Sequence, residues 1–100
     1  MHIISRKKLV AFWKQYPDTK DQLAGWHKVV EKATWTKWAD VQKAYPKASY
    51  FECCFIFNIG GGSYRLIVKR SPSWKTLYVV DVFSHREYDL DQWKKFCPCP

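Results

Sequence analysis

Three consecutive glycines, Gly60-Gly61-Gly62, stand between two runs of β-branched and aromatic residues, and no other stretch restricts the architecture as tightly. Glycine reaches positive φ without steric cost, so a glycine run between apolar segments predicts a β-hairpin. Side chains along a strand alternate between faces. With a two-residue loop, at Gly60-Gly61 or at Gly61-Gly62, Phe55, Phe57 and Ile59 share one face with Tyr64, Leu66 and Val68. That face belongs in a core. The opposite face carries Ile56 and Asn58 on one strand, then Ser63, Arg65, Ile67 and Lys69 on the other. An amide and two cations converging on one face exceed what a bare scaffold requires. A three-residue loop would break this register.

The core face needs something to cover it, and the residues before the hairpin supply it. Leu9, Phe12, Trp13 and Tyr16 fall at helical spacing after Ser5, a capping residue, and Pro17 ends that helix. Asp18 is the next candidate cap, followed by Leu23, Trp26, His27 and Val30 on a second apolar stripe. Trp38, Val41 and Tyr45 give a short third helix its apolar edge before Pro46. His2–Ile4 reads as an edge strand or a helix lead-in. Tyr50–Ile59 and Ser63–Arg70 are the hairpin strands, and Ser71–Lys75 is a loop. Thr76–Phe83 is nearly continuous in apolar residues and predicts an inner strand buried on both faces. Ser84–Asp89 breaks that pattern at a strand end, and Leu90–Phe96 suits a last short helix. Helices first and then an antiparallel sheet predict an α+β domain. Residues 1–96 form one domain, with a short Cys/Pro tail over 97–100.

Charge narrows the partners. Seventeen Lys and Arg against nine Asp and Glu leave a net charge of +8, which favours a polyanion such as nucleic acid or an acidic protein. The chain is 18% aromatic, too rich for a disordered segment. No apolar run is long enough to span a bilayer, and the start lacks a signal-peptide pattern, so the expected compartment is the cytoplasm and no membrane partner is expected. Cys53 and Cys54 are adjacent in the predicted strand, and Cys97 and Cys99 lie in the tail. His2, His27 and His85 are scattered and no Cys-x-x-Cys pair occurs, so neither a structural zinc site nor any other cofactor is expected. The four cysteines fit that compartment, and the Cys97/Cys99 tail reads as loose and reduced ahead of the alternative of a metal clip.

His85 and Tyr88 sit where a rigid strand releases into a loop, a frequent place for reactive side chains. Histidine suits proton transfer near neutral pH. Tyrosine donates a proton when nearby cations favour its ionised form. Arg65 and Lys69 can hold a phosphate and offset charge developing on it. Together the parts suit cleavage of RNA by its own 2′-OH, with no metal. Each residue also has a plainer reading: Arg65 pairs with Glu52 across strands, Tyr88 packs in the core, and Asp89 caps the last helix.

Phe57-Asn58-Ile59-Gly60-Gly61-Gly62-Ser63-Tyr64-Arg65-Leu66 and Ser84-His85-Arg86-Glu87-Tyr88-Asp89 resemble the HigB toxin family, within the RelE/ParE-like toxins of type II toxin–antitoxin systems. Met1–Ser5, Trp38–Val41 and Tyr45-Pro46 are similar too. Gly62 stands where the family often has Asn, Ser84 where Thr is usual, and Cys97-Pro98-Cys99-Pro100 lies outside the family pattern. The resemblance implies an mRNA interferase that cuts translated messenger on the ribosome, silenced by a HigA-like antitoxin carrying a helix-turn-helix domain. It implies a small sheet with helices on one face and RNA on the other. The implied catalytic set is Arg65, Lys69, His85 and Tyr88, with Asn58, Arg70, Trp74 and Arg86 as supporting RNA contacts. It leaves open which of His85 and Tyr88 is base and which is acid. Two other readings stand beside it: a ParE-like protein that binds DNA gyrase without RNA chemistry, and a non-catalytic RNA-binding module using Trp74 and the lysines.

Overall fold

The computed structural model describes residues 1–100. Along the chain run β1 (His2–Ile4), α1 (Arg6–Gln15), α2 (Lys20–Lys32), α3 (Trp38–Ala44), β2 (Ser49–Phe51), β3 (Cys54–Ile59), β4 (Tyr64–Arg70), β5 (Thr76–Ser84) and α4 (His85–Asp89). A 3₁₀ segment, Gln92–Phe96, follows α4. The strands form one sheet in the order β1-β5-β4-β3-β2. The fold is α+β, as expected, but the sheet is mixed: β1 pairs parallel to β5, and the remaining pairs are antiparallel.

The hairpin keeps the expected faces with a longer loop. Phe55 pairs with Val68, Phe57 with Leu66 and Ile59 with Tyr64. The loop spans Gly60–Ser63, so the ladder stops one pair short of a Gly61-Gly62 turn while the parity, and hence every face assignment, is preserved. Gly60, Gly61 and Gly62 all have positive φ, at 61°, 66° and 102°, a succession that only glycine adopts without strain.

The core lies between this face and the first two helices. Leu9 and Trp13 of α1, and Leu23, Trp26 and Val30 of α2, are buried against Phe55, Phe57, Leu66 and Val68. Pro17 ends α1 as expected, but Asp18 does not cap α2. A 3₁₀ turn, Pro17–Thr19, intervenes, and the buried Thr19 hydroxyl donates back to the Tyr16 carbonyl at 2.7 Å. Trp26 packs edge-on to Phe57 at 5.5 Å, and its buried Nε1–H has no acceptor. Trp26→Ala should cost about 3–5 kcal/mol by emptying a core site. Trp26→Phe removes the orphaned donor with part of the volume and should cost clearly less when the two variants are compared by urea titration.

Three further expectations need correction. Tyr50–Ile59 is not one strand: a tight turn at Glu52-Cys53, with Glu52 at φ 51°, folds β2 back onto β3. Cys53 is therefore in a turn. β5 is an inner strand but is not buried throughout, since a bulge near Val80 shifts its register against β4 and Tyr78 is 45% exposed. The cysteines are not free in a loose tail. Cys53 is bonded to Cys99 and Cys54 to Cys97, and Cys97 is fully buried. Residue types alone did not disclose this, because the pairing depends on the tail folding back over the sheet. There Cys54, Ile56, Ile67, Trp93 and Cys97 form a second, smaller core on the face opposite the helices.

Candidate catalytic site at the hairpin end of the sheet

β5 ends at Ser84, which pairs with Tyr64, and a helix starts there at once. The Ser84 hydroxyl accepts the Glu87 N–H, and the Glu87 carboxylate accepts the Ser84 N–H, each at 3.1 Å. This is a capping box, legible in the sequence as Ser-x-x-Glu. His85 and Tyr88 are thus carried by a short helix and not by a loop. The His85 N–H donates to the Ser63 carbonyl at 3.0 Å, which ties that helix to the glycine loop.

On α4 the imidazole of His85 is gripped from below. Its Nδ1 lies 2.9 Å from a carboxylate oxygen of Asp89, one turn along, and both side chains are more than half exposed. Its Nε2 makes no hydrogen bond within the protein. Tyr88, at helical i+3 from His85, is half-buried. Its ring lies 5.2 Å from the Arg65 guanidinium carbon and stacks on Trp93 at 5.2 Å and 9°. Trp93 Nε1–H donates to the Tyr88 carbonyl at 3.0 Å. Arg65 does not pair with Glu52; its Nη1 donates to the Gly62 carbonyl and, at 3.4 Å, to that of Tyr64. Asn58 stands directly across from Arg65 on β3 and is exposed.

Asn58, Arg65, His85 and Tyr88 therefore lie at one end of the sheet, with Asn58, Arg65 and Tyr88 on the face away from α1 and α2. Lys69, Arg70 and Trp74 are elsewhere. Lys69 shares the face of Arg65 but lies four residues along the strand, about 13 Å away at strand rise. Ile67, capped by Trp93 and Cys97, separates the two. Lys69 borders a groove of about 490 Å³ with Lys8, Tyr78 and Phe96. Arg70 points to the helix side, 4.6 Å from the Trp74 ring, with Nε donating to the Tyr50 hydroxyl at 2.7 Å. Arg86 is exposed on α4.

Three supporting residues escaped the sequence reading. Asp89 does not cap the last helical segment, whose cap position is Asp91; it stands at i+4 from His85, a spacing that predicts the pair once α4 is recognised. Gln22 of α2 reaches the hairpin loop, accepting the Gly60 N–H at 2.7 Å and donating to the Asn58 carbonyl at 3.3 Å. Beside it lies a pocket of about 420 Å³ bordered by Tyr45, Asn58 and Gly61. Burial pushes the Tyr45 phenol above its ordinary value, so it stays protonated there. Trp93, the third, had one signal: a lone aromatic within Asp91-Gln92-Trp93-Lys94-Lys95.

An imidazole oriented by a carboxylate, a phenol and a guanidinium within one small area can transfer protons and steady an anion. No three His, Cys, Asp or Glu side chains gather into a metal-binding group. No helix is long and apolar enough to cross a membrane.

The mRNA interferase toxin HigB of Escherichia coli (strain K12) is 26% identical over 93 residues, covering 90% of this chain and 89% of the relative. The mRNA interferase HigB of Shigella flexneri matches to the same extent, and that of Escherichia coli O6:H1 is 24% identical over 92 residues, covering 89% of each chain. The model of the HigB toxin family, described as the RelE-like toxic component of a toxin–antitoxin system, matches residues 19–91 and so takes in the glycine loop, Arg65 and all of α4. On that match the chain belongs to the HigB family of RelE-like toxins.

Proposed function

We propose that this toxin is an mRNA interferase, an endoribonuclease that cuts messenger on the ribosome through the 2′-OH of the RNA. The observation that carries the reading is the grouping of His85, Tyr88 and Arg65 at one sheet end, in a chain whose relatives bear the name mRNA interferase. His85 Nε2, aligned by Asp89 on Nδ1, takes the proton of the 2′-OH. The 2′ oxygen attacks the adjacent phosphorus, and the bond from phosphorus to the 5′ oxygen breaks. The leaving 5′ oxygen takes a proton from the Tyr88 hydroxyl, whose ring lies 5.2 Å from the Arg65 guanidinium carbon. Arg65 steadies the crowded phosphate, with Asn58 as a neighbouring donor. The products are a 2′,3′-cyclic phosphate and a 5′-OH. Every group in this scheme is a side chain or the RNA itself, so cleavage should persist in chelator.

Lys69 is then assigned to the phosphate of a flanking nucleotide, not to the scissile one, because the strand holds it too far from Arg65. A HigA-like antitoxin with a helix-turn-helix domain is the proposed silencing partner, its acidic groups meeting the +8 toxin.

The test is induced expression followed by mapping of messenger 5′ ends. New 5′-OH ends within translated regions are expected, appearing only where ribosomes are loaded. Intact messenger with inhibited supercoiling would replace this reading with gyrase binding. RNA bound without any product would leave only a binding module.

A further inference from the structure

The proposed chemistry makes no use of the second core, yet this core is what Tyr88 leans on. Trp93 is 2% exposed and meets Tyr88 twice, by the parallel ring stack and by the Nε1–H bond to its carbonyl. Trp93 belongs to a 3₁₀ segment of five residues, too short to persist in water by itself. Its neighbours Leu90 and Phe96 are 62% and 48% exposed, so little beyond Trp93 and Cys97 anchors it by burial. Beyond the contacts of Phe51 with Trp93, edge-on at 5.6 Å, and with Lys94, what fastens it is covalent: Cys97 to Cys54 at the start of β3, and Cys99 to Cys53 in the preceding turn. The Cys53 N–H also donates to the Cys97 carbonyl at 3.0 Å. The main core, built from α1, α2 and the other face of the sheet, contains none of these residues.

We propose that Trp93 is a positioning residue for Tyr88, and that the two disulfides hold it there. The site is then assembled in the oxidised protein and loses its geometry when a dithiol reductant opens both bonds. This rests on the reading of Tyr88 as part of the catalytic site. Each disulfide accepts two electrons and two protons and becomes two thiols, while one equivalent of the dithiol becomes a disulfide. Cys99 is exposed and Cys97 is fully buried, so the outer Cys53–Cys99 bond is the one a reductant meets first. Once both are open, the tail and Trp93 detach as a local unit while the helix-backed sheet persists. Reducing cytosol would thus hold the site slack, and thiol oxidation would tighten it.

The experiment compares oxidised wild type, wild type reduced with dithiothreitol, a variant with all four cysteines changed to serine, Trp93→Ala and Trp93→Phe. Alkylation and mass measurement count the thiols, far-UV circular dichroism checks the fold, and proton NMR follows the Tyr88 ring. In the oxidised protein the stacked indole should shift the Tyr88 ring signals upfield. On reduction those signals should return to ordinary tyrosine positions with the circular dichroism kept. Cleavage on ribosomes should lose about 10²-fold in kcat, the scale of a misplaced group, with KM unchanged. Trp93→Ala should match the reduced protein, and Trp93→Phe, which retains a ring to stack on, should recover most of the rate. The four-serine variant should be slow and indifferent to dithiothreitol. Tyr88 signals that stay in place after complete reduction, or that move with kcat unchanged, would overturn the proposal. So would a four-serine variant that slows further in dithiothreitol. If the oxidised protein cuts no messenger at all, the mRNA reading falls, and the Tyr88 signals alone decide the positioning role.

Discussion

Arg65→Ala is expected to lose about 10²–10³ in the rate of messenger cleavage while remaining folded. The size follows from the role proposed for the guanidinium. In a phosphoryl displacement negative charge gathers on the non-bridging oxygens as the phosphorus becomes crowded. A fixed cation there acts mainly on the transition state, so kcat should fall more than KM rises. Arg65 is suited to this because strand β4, the Gly62 carbonyl and the Tyr88 ring hold it in one orientation before substrate arrives. The fold should survive because the Arg65 side chain lies outside the helix-backed core, which draws on Leu66 and Val68 from the same strand. Loss of rate with native urea stability is the expected pair of results. Equal loss of both would make Arg65 structural and remove the cation from the mechanism. His85→Ala and Tyr88→Phe should each cost about 10²–10⁴, as for a positioned base or acid. Asp89→Asn, which keeps the shape and removes the charge beneath the imidazole, should fall short of His85→Ala.

How much of this was legible in the sequence differs from element to element. The hairpin faces were readable because period-two alternation survives any loop of even length, so a four-residue loop did no harm to a two-residue assumption. The helix stripes were readable because Leu9, Trp13, Leu23, Trp26 and Val30 repeat at helical spacing. The Glu52-Cys53 turn was not, since it lies in a β-prone run without glycine or proline, and Glu52 takes a positive φ in the tight turn that joins β2 to β3. Among the site residues, Arg65 and Asn58 followed from strand parity. His85 and Tyr88 were placed correctly near the strand end, but the capping box that puts them on a helix was passed over, and the Asp89 partnership with it. Lys69 was grouped with Arg65 because both share a face. Parity fixes a side chain's face and says nothing of distance along it. The second core could not be read locally at all, because residues 53 and 54 meet residues 97 and 99 only after the chain has folded.

A messenger carrying 2′-deoxy sugar at the cleaved position should not be cut at that position. In the proposed mechanism the nucleophile belongs to the substrate, so its removal leaves the enzyme with a base that has no proton to take and a phosphate with no attacking oxygen nearby. The effect should be larger than that of any single side-chain change, since each of those leaves the reaction path intact and only raises its barrier. Binding should barely change, because the 2′-OH is one small contact beside the phosphate interactions with Arg65 and Lys69. The deoxy message should therefore act as a competitive inhibitor, with an inhibition constant close to the dissociation constant of the ribo form under single-turnover conditions. On the ribo substrate the 5′ fragment should carry a 2′,3′-cyclic phosphate, and the 3′ fragment a 5′-OH that a polynucleotide kinase can label directly. A deoxy substrate cut as fast as the ribo form would rule out attack by the 2′-OH. Water would then have to be the nucleophile, His85 would have to activate it, and the 5′ fragment would end in an ordinary 3′-phosphate with no cyclic intermediate.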